Sequence, residues 1–218
     1  MMVFASATKA AADFWAGILP EVPNTAGIAR VQALIVEADA RRARADYNTG
    51  SISEAEAYYL WALAQARKAR VVIEVGTFIG TSTTALALAD SVEAVYTCDA
   101  SNDCLPATPT IHPYPKRTSI DMLQDLVWKE VVADLCFFDG VLTARDVDLL
   151  ARVTHPRTVY AFHDYNYGPK IRQRHGKTTL ETMPRKGIGN VGLIYPRCLG
   201  HDLIDPLPES TLALLVPR

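Results

Sequence analysis

Val71-Val-Ile-Glu-Val-Gly-Thr-Phe-Ile-Gly-Thr-Ser82, followed by the apolar run from Thr83 to Ala89, is the stretch on which the fold turns. Its β-branched start predicts a strand that breaks at Gly76, crosses a short loop through Gly80 and becomes a helix with Thr81 and Ser82 in its first turn. Glycines at these two positions let the backbone approach a bound molecule closely, and the new helix offers unpaired N–H groups at its N-terminus. An ordinary strand-to-helix connection in an α/β protein has the same features, so the stretch alone leaves both readings open.

Upstream, Ser53-Glu-Ala-Glu56 has the Ser-x-x-Glu pattern of a capping box and opens a helix that turns Ala57, Leu60, Trp61 and Ala64 inward. From Thr25 to Tyr47, Ile28, Val31, Leu34, Ile35 and Ala38 recur at helical spacing, and Arg41, Arg42 and Arg44 suit the C-terminal end of a helix dipole. Residues 1–24 are alanine-rich, then broken by Pro20 and Pro23, as expected of a short outer helix and a turn. Downstream the pattern alternates: strand 93–98, a Pro-rich connection, helix 119–129, strand 133–138, helix 143–153, strand 157–162. Such alternation predicts β-α-β units and an α/β fold with a doubly wound, mostly parallel sheet. The apolar runs Val191 to Tyr195 and Leu212 to Val216 are expected to close it as an antiparallel hairpin at one edge. The expected organisation is a helical addition over 1–52, serving as a lid or a dimer surface, and a main domain over 53–218.

With 218 residues, 49% hydrophobic and 21% charged, the chain fits an ordinary globular protein with one main domain. A net charge of −2 argues against a protein built to hold nucleic acid. Cys98, Cys104, Cys136 and Cys198 form no Cys-x-x-Cys pair, which argues against zinc. Phe14 to Leu19 is too short and lacks the basic leader of a signal peptide, and no apolar stretch would cross a bilayer, so a cytoplasmic protein without membrane partners is expected.

In open parallel sheets, ligands sit above the C-terminal ends of the strands. Those ends are polar here: Gly76-Thr77 after the first strand, Asp99 after the second, Asp139-Gly140 after the fourth, His163-Asp164-Tyr165 after the fifth. Asp99 follows Gly76 by roughly 20 residues, where a carboxylate can accept hydrogen bonds from both hydroxyls of a ribose. The spacing Gly76-x-x-x-Gly80 lacks the glycine that clears room for a pyrophosphate, and no Gly-x-x-x-x-Gly-Lys loop is present.

Glu74-Val-Gly-Thr-Phe-Ile-Gly-Thr-Ser82 resembles the first motif of class I S-adenosylmethionine-dependent methyltransferases, closest to the small O-methyltransferases of the catechol and caffeoyl-CoA type and their bacterial relatives. The resemblance runs from Ser53 through Asp164. It implies an S-adenosylmethionine site in which Gly76, Phe78 and Ser82 surround the methionine part, with Glu74, Thr77 and Gly80 in the same loop. By the same resemblance Asp99 and the adjoining Ala100 meet the ribose, Ser119 lies near the adenine, and Asp139 lies beside the methionine amino group. The expected reaction is O-methylation of a small molecule, with His163 and Asp139 as the catalytic candidates.

The departures are equally specific. Metal-dependent members hold magnesium with an Asp after strand four and an Asp-Asn pair after strand five, and a lysine near the first Asp serves as base. Asp139 and Asp164 match the acids, but Tyr165 stands in place of the Asn and Val141-Leu-Thr143 contains no lysine. A divalent cation is therefore not favoured, because two carboxylates alone make a weak site. His163 is either a base, given its near-neutral intrinsic pKa, or a residue that orients Asp164. The basic segment 170–186 reads either as a solvated loop and helix or as a recognition surface in which Lys170, Arg172 or Arg174 meets an acidic acceptor. The rival functions are a catalytically silent cofactor-binding protein and an NAD-type oxidoreductase. Base methylation is disfavoured, since Asp139-Gly-Val-Leu142 lacks an Asn/Asp-Pro-Pro-Tyr-like tetrad.

Overall fold

A computed structural model of the chain describes residues 13–18, 25–42, 51–100, 108–165, 170–174, 177–181, 186–204 and 210–218. Helix α1 covers residues 13–18, α2 Thr25–Arg42 and α3 Glu54–Arg67. Strand β1 (Val71–Val75) leads into α4 (Thr81–Ala87), followed by β2 (Ala94–Asp99), β3 (Ile111–Pro115) and α5 (Ser119–Trp128). Next come β4 (Ala133–Phe138), α6 (Ala144–Leu150) and β5 (Thr154–Phe162). A separate antiparallel ribbon, β6 (Lys170–Arg174) with β7 (Lys177–Glu181), precedes α7 (Lys186–Ile194), a 3₁₀ turn (Tyr195–Arg197), β8 (His201–Ile204) and β9 (Ala213–Pro217).

The main sheet has seven strands in the order β3-β2-β1-β4-β5-β9-β8, parallel through β5 and antiparallel across β9 and β8. This is the expected α/β doubly wound architecture, with element ends displaced by a turn or less. Its central strands are buried on both faces, so their sequences read as continuous apolar runs. On one face Val72, Val95, Leu135, Phe137 and Leu214 pack with Leu60 and Leu63 of α3 and Leu86 of α4; Trp15 of α1 and Val31 of α2 join the same cluster. On the other face Ile73, Cys136, Phe138 and Phe162 pack with Met122 and Leu126 of α5, Val147 and Leu150 of α6, and Val191 and Ile194 of α7.

Three helices begin with reciprocal capping boxes: Ser53 with Glu56, Thr118 with Asp121, and Thr143 with Asp146. The N-cap of α5 is thus Thr118, and Ser119 is the first helical residue.

The sequence reading differs from the structure in three places. The run Val191 to Tyr195 is the end of α7 and the start of the 3₁₀ turn, and β9 pairs instead with β8. Five apolar residues are too few to separate a period of 2 from one of 3.6, and here the three-residue spacing of Val191 and Ile194 buries one helix face. The Pro-rich connection contains β3, which tolerates Pro113 and Pro115 because it is the edge strand of the sheet. Within the basic segment, Lys170–Arg174 and Lys177–Glu181 form the β6–β7 ribbon where a loop and helix were one expectation, and Lys186 begins α7; His175 and Arg185 lie outside the described residues. The C-terminal part of the helix expected over Thr25 to Tyr47 also lies outside them beyond Arg42, as does Cys104. No described helix is long and apolar enough to cross a membrane.

Gly76 sits where β1 and β4 converge, at φ 99°, and a Cβ there would fall 2.7 Å from the Gly140 nitrogen. Gly76→Ala is therefore expected to lower the melting temperature by roughly 5–10 °C, because the backbone of both strand ends must shift. A thermal scan of the variant checks this.

Candidate active site

Strand register assembles the site. Val75 is paired with Cys98 on one side and Phe138 on the other, and Phe138 with Phe162. The residues that follow, Gly76, Asp99, Asp139 and His163, therefore line up along one edge of the sheet. Ser119, at the start of α5 just past β3, lies at the same end and is half-buried, whereas Ala100 is exposed.

The loop after β1 is shaped by left-handed backbone at Gly76 (φ 99°), Phe78 (φ 47°) and Gly80 (φ 79°). Phe78 carries a side chain in a conformation that disfavours one. Its N–H donates to Asp99 Oδ2 at 2.8 Å, which fastens the loop to the end of β2. The Phe78 ring is buried with Ile79 and Ala38. Beneath the loop, the fully buried Glu74 carboxylate accepts hydrogen bonds from Ser82 Oγ (2.5 Å), Thr97 Oγ1 (2.5 Å) and the Thr83 hydroxyl. The Thr77 and Thr97 hydroxyls bond each other. Burial pushes the Glu74 carboxyl up to about 7, against the opposing effect of those three hydroxyls. Glu74 and Ser82, both expected at the cofactor, are thus directed at one another.

At the other end of the row, His163 Nδ1 lies 2.8 Å from Asp139 Oδ1 and Nε2 lies 3.4 Å from Glu56 Oε2. Glu56 is the surprise. Beyond closing the capping box with the Ser53 N–H (2.9 Å) and hydroxyl (3.0 Å), it accepts from the Thr211 N–H (2.7 Å) and hydroxyl (2.9 Å). Thr211 in turn braces the turn after β5: its hydroxyl accepts from the Asp164 N–H at 3.2 Å and its carbonyl from the Tyr165 N–H at 3.0 Å. Asp164 is thereby held at φ 59°. From α7, Asn190 clamps the loop after β4, donating to the Gly140 carbonyl (2.8 Å) and accepting from the Leu142 N–H (3.0 Å). Gly187, also in α7, packs so closely that a Cβ would fall 2.3 Å from the His163 carbonyl. Glu56 was legible only as a helix cap, and no spacing pointed to Thr211 or Asn190.

Burial would lower the His163 pKa, but hydrogen bonds to Asp139 and Glu56 raise it to about 9. Burial would likewise raise the Glu56 carboxyl, yet the bonds from His163, Ser53 and Thr211 hold it well below the usual carboxylate range. His163 thus sits between two carboxylates, hydrogen-bonded to Asp139 through Nδ1 and with Nε2 3.4 Å from Glu56.

Among the described residues, one donor group could hold a metal: Asp139, His163 and Asp164, whose donor atoms lie within 4.8 Å of one another. Asp139 Oδ1, one of those donors, is engaged by His163, and two carboxylates with an imidazole supply fewer oxygens than magnesium takes.

These shifts set a pH window for stability. The His163 contribution is complete below its unfolded value near 6.5 and is lost as pH rises through about 9. The Glu56 contribution is present above its unfolded value and is lost as pH falls toward its depressed one. Urea unfolding should therefore show stability falling by about 1–3 kcal/mol between pH 7.5 and pH 10, with His163→Gln flattening that alkaline decline. An unchanged alkaline slope in the variant would show that His163 is not its source.

No protein-family model and no curated protein matches the sequence. Solved structures do. An O-methyltransferase from Bacillus cereus, in complex with SAH, superposes with a TM-score of 0.56 at 18% identity, covering 90% of this chain and 93% of that one. The SAH-bound methyltransferase PaMTH1 from Podospora anserina gives 0.57 at 13% identity, covering 85% and 88%. TomG from Streptomyces achromogenes, an O-methyltransferase involved in tomaymycin synthesis and bound to SAM, gives 0.53 at 16% identity, covering 94% and 95%. At such identities the likeness establishes architecture: the structural neighbours of this chain are S-adenosylmethionine-dependent O-methyltransferases, matched over most of its length, and it shares their fold.

Proposed function

We propose that the chain is an S-adenosylmethionine-dependent methyltransferase that methylates an oxygen of a small molecule. The observation that carries the reading is the in-register row of strand ends, where a Gly76-x-x-x-Gly80 loop is tied by the Phe78 N–H to Asp99. That row offers one carboxylate for a ribose and a second, Asp139, for an amino group. It lacks the second glycine of a dinucleotide cradle, the one that clears room for a pyrophosphate, which weighs against NAD. The neighbours with bound SAM or SAH have the same fold, which supports the same cofactor here.

The bound cofactor would supply an activated methyl group on a sulfonium, so the protein's task is alignment and exclusion of water more than covalent chemistry. Asp99 would accept from the ribose hydroxyls, and the Gly76 turn would let the backbone approach the methionine part. Glu74, Ser82 and Thr97 act one layer below, fixing the shape of the loop that does the binding. His163, held between Asp139 and Glu56, sets the orientation of Asp139. With Asp139 bonded to His163, the neighbouring Asp164 carboxylate would take the proton of an acceptor hydroxyl. A second reading, a cofactor-binding protein without transfer, draws support from the absent lysine after β4 and the engaged His163. Formation of S-adenosylhomocysteine in the presence of catechol or hydroxybenzoate acceptors would discriminate against it.

Calorimetric titration is expected to show one S-adenosylmethionine site per chain and no NAD binding. Asp99→Ala should weaken the cofactor by at least about ten-fold, since it removes a charged hydrogen-bond partner. Failure of the wild-type protein to bind S-adenosylmethionine would refute the reading.

A further inference from the structure

We propose that Asn190 is a positioning residue for the cofactor: from α7 it sets the backbone that carries Asp139, and through Asp139 it governs the hold on the amino-acid end of the ligand. The inference rests on the methyltransferase reading. Asn190 is 1% exposed, and its carboxamide meets two backbone groups of one loop. It donates to the Gly140 carbonyl at 2.8 Å and accepts from the Leu142 N–H at 3.0 Å. Both partners are main-chain groups of fixed polarity, so they also fix which way the amide faces.

The loop depends on this clamp. Residues 139–142 bridge Phe138, the end of β4, and Thr143, the cap of α6; Gly140 has no side chain to anchor it and Val141 is exposed. On the inner side, the Asp139 and Gly140 N–H groups both donate to the Val75 carbonyl, at 2.9 and 2.7 Å. Gly140 is thus held at both ends, by β1 through its N–H and by α7 through its carbonyl. Asp139 is the residue beside it, and its carboxylate reaches across to His163 Nδ1 at 2.8 Å. That span depends on how far apart the turns after β4 and β5 are kept. Gly187, one turn of α7 before Asn190, packs on the turn after β5, where a Cβ would fall 2.3 Å from the His163 carbonyl. One face of one helix therefore touches both turns and gauges the distance between them. Three glycines in nine residues give α7 little helical propensity of its own, so its place is set by these contacts.

The test compares S-adenosylhomocysteine with 5′-methylthioadenosine, which keeps the adenine, ribose and sulfur and lacks the amino acid. In calorimetry on the full chain, Asn190→Ala is expected to bind S-adenosylhomocysteine at least about ten-fold more weakly than the wild type, with 5′-methylthioadenosine changed by less than about two-fold. A general loosening of the fold would weaken both ligands alike, and equal losses, or none, would overturn the proposal. A second measurement needs no variant and stands should Asn190→Ala fail to fold. A ligand that depends on a clamp stabilises that clamp in turn. In the wild type, hydrogen exchange of the Leu142 amide should therefore slow at least about three-fold on saturation with S-adenosylhomocysteine and stay unchanged with 5′-methylthioadenosine. The same slowing with both ligands, or slowing with neither, would count equally against the role. Wild-type protein that binds neither ligand would sink the methyltransferase reading and this inference together; binding of both, with the variant losing both equally, would sink this inference alone.

Discussion

A carboxylate with no access to solvent holds the C-terminal strand ends of this sheet together. Glu74 lies in the central strand, and leaving its charge unpaired there would cost several kcal/mol. Three hydroxyls prevent that: Thr97 from the neighbouring strand, and Ser82 and Thr83 from the first turn of α4. The bonds lock β1, β2 and the helix start into one unit. Between them the chain has only five residues, Gly76 to Gly80, in which to turn, and left-handed backbone at Gly76, Phe78 and Gly80 is how it does so. The loop that would face a ligand is therefore defined from beneath, by groups that need not touch the ligand.

A second polar network does the same for the far side of the site, but it is assembled from distant parts of the chain. Glu56 at the start of α3, Thr211 at the entry to β9 and Asn190 in α7 fix the turns after β5 and β4. Through them the helix before the first strand and the last strand of the sheet both position His163 and Asp164. The C-terminal hairpin thus covers the sheet edge and also sets the backbone from which the acidic cluster projects.

The sequence was informative where structure is local. The β1–α4 motif, the capping box at Ser53 and the alternation of strands and helices all rest on spacing within a few residues, and each appears in the fold. The strand-end positions Gly76, Asp99, Asp139 and His163 could be named because parallel register places equivalent ends side by side. What escaped was non-local or ambiguous by length. Val191 to Tyr195 is too short for its period to be read, and β3 is disguised by two prolines that only an edge strand tolerates. Glu56 satisfies a local pattern so completely that nothing in it hints at its bonds to Thr211 or its approach to His163, residues more than 100 positions away. The basic segment, read as loop and helix, folds as a ribbon through cross-strand pairing that charge content does not reveal.

As proposed, the row of strand ends binds a sulfonium nucleoside, with Asp99 at one end and the acidic cluster around His163 at the other. A crystal structure of the protein soaked with S-adenosylhomocysteine tests this most directly. Ribose hydroxyls are expected within hydrogen-bond distance of Asp99, the adenine toward Ser119 and the amino group toward Asp139. Ligand density elsewhere on the surface, with the strand ends empty, would contradict it.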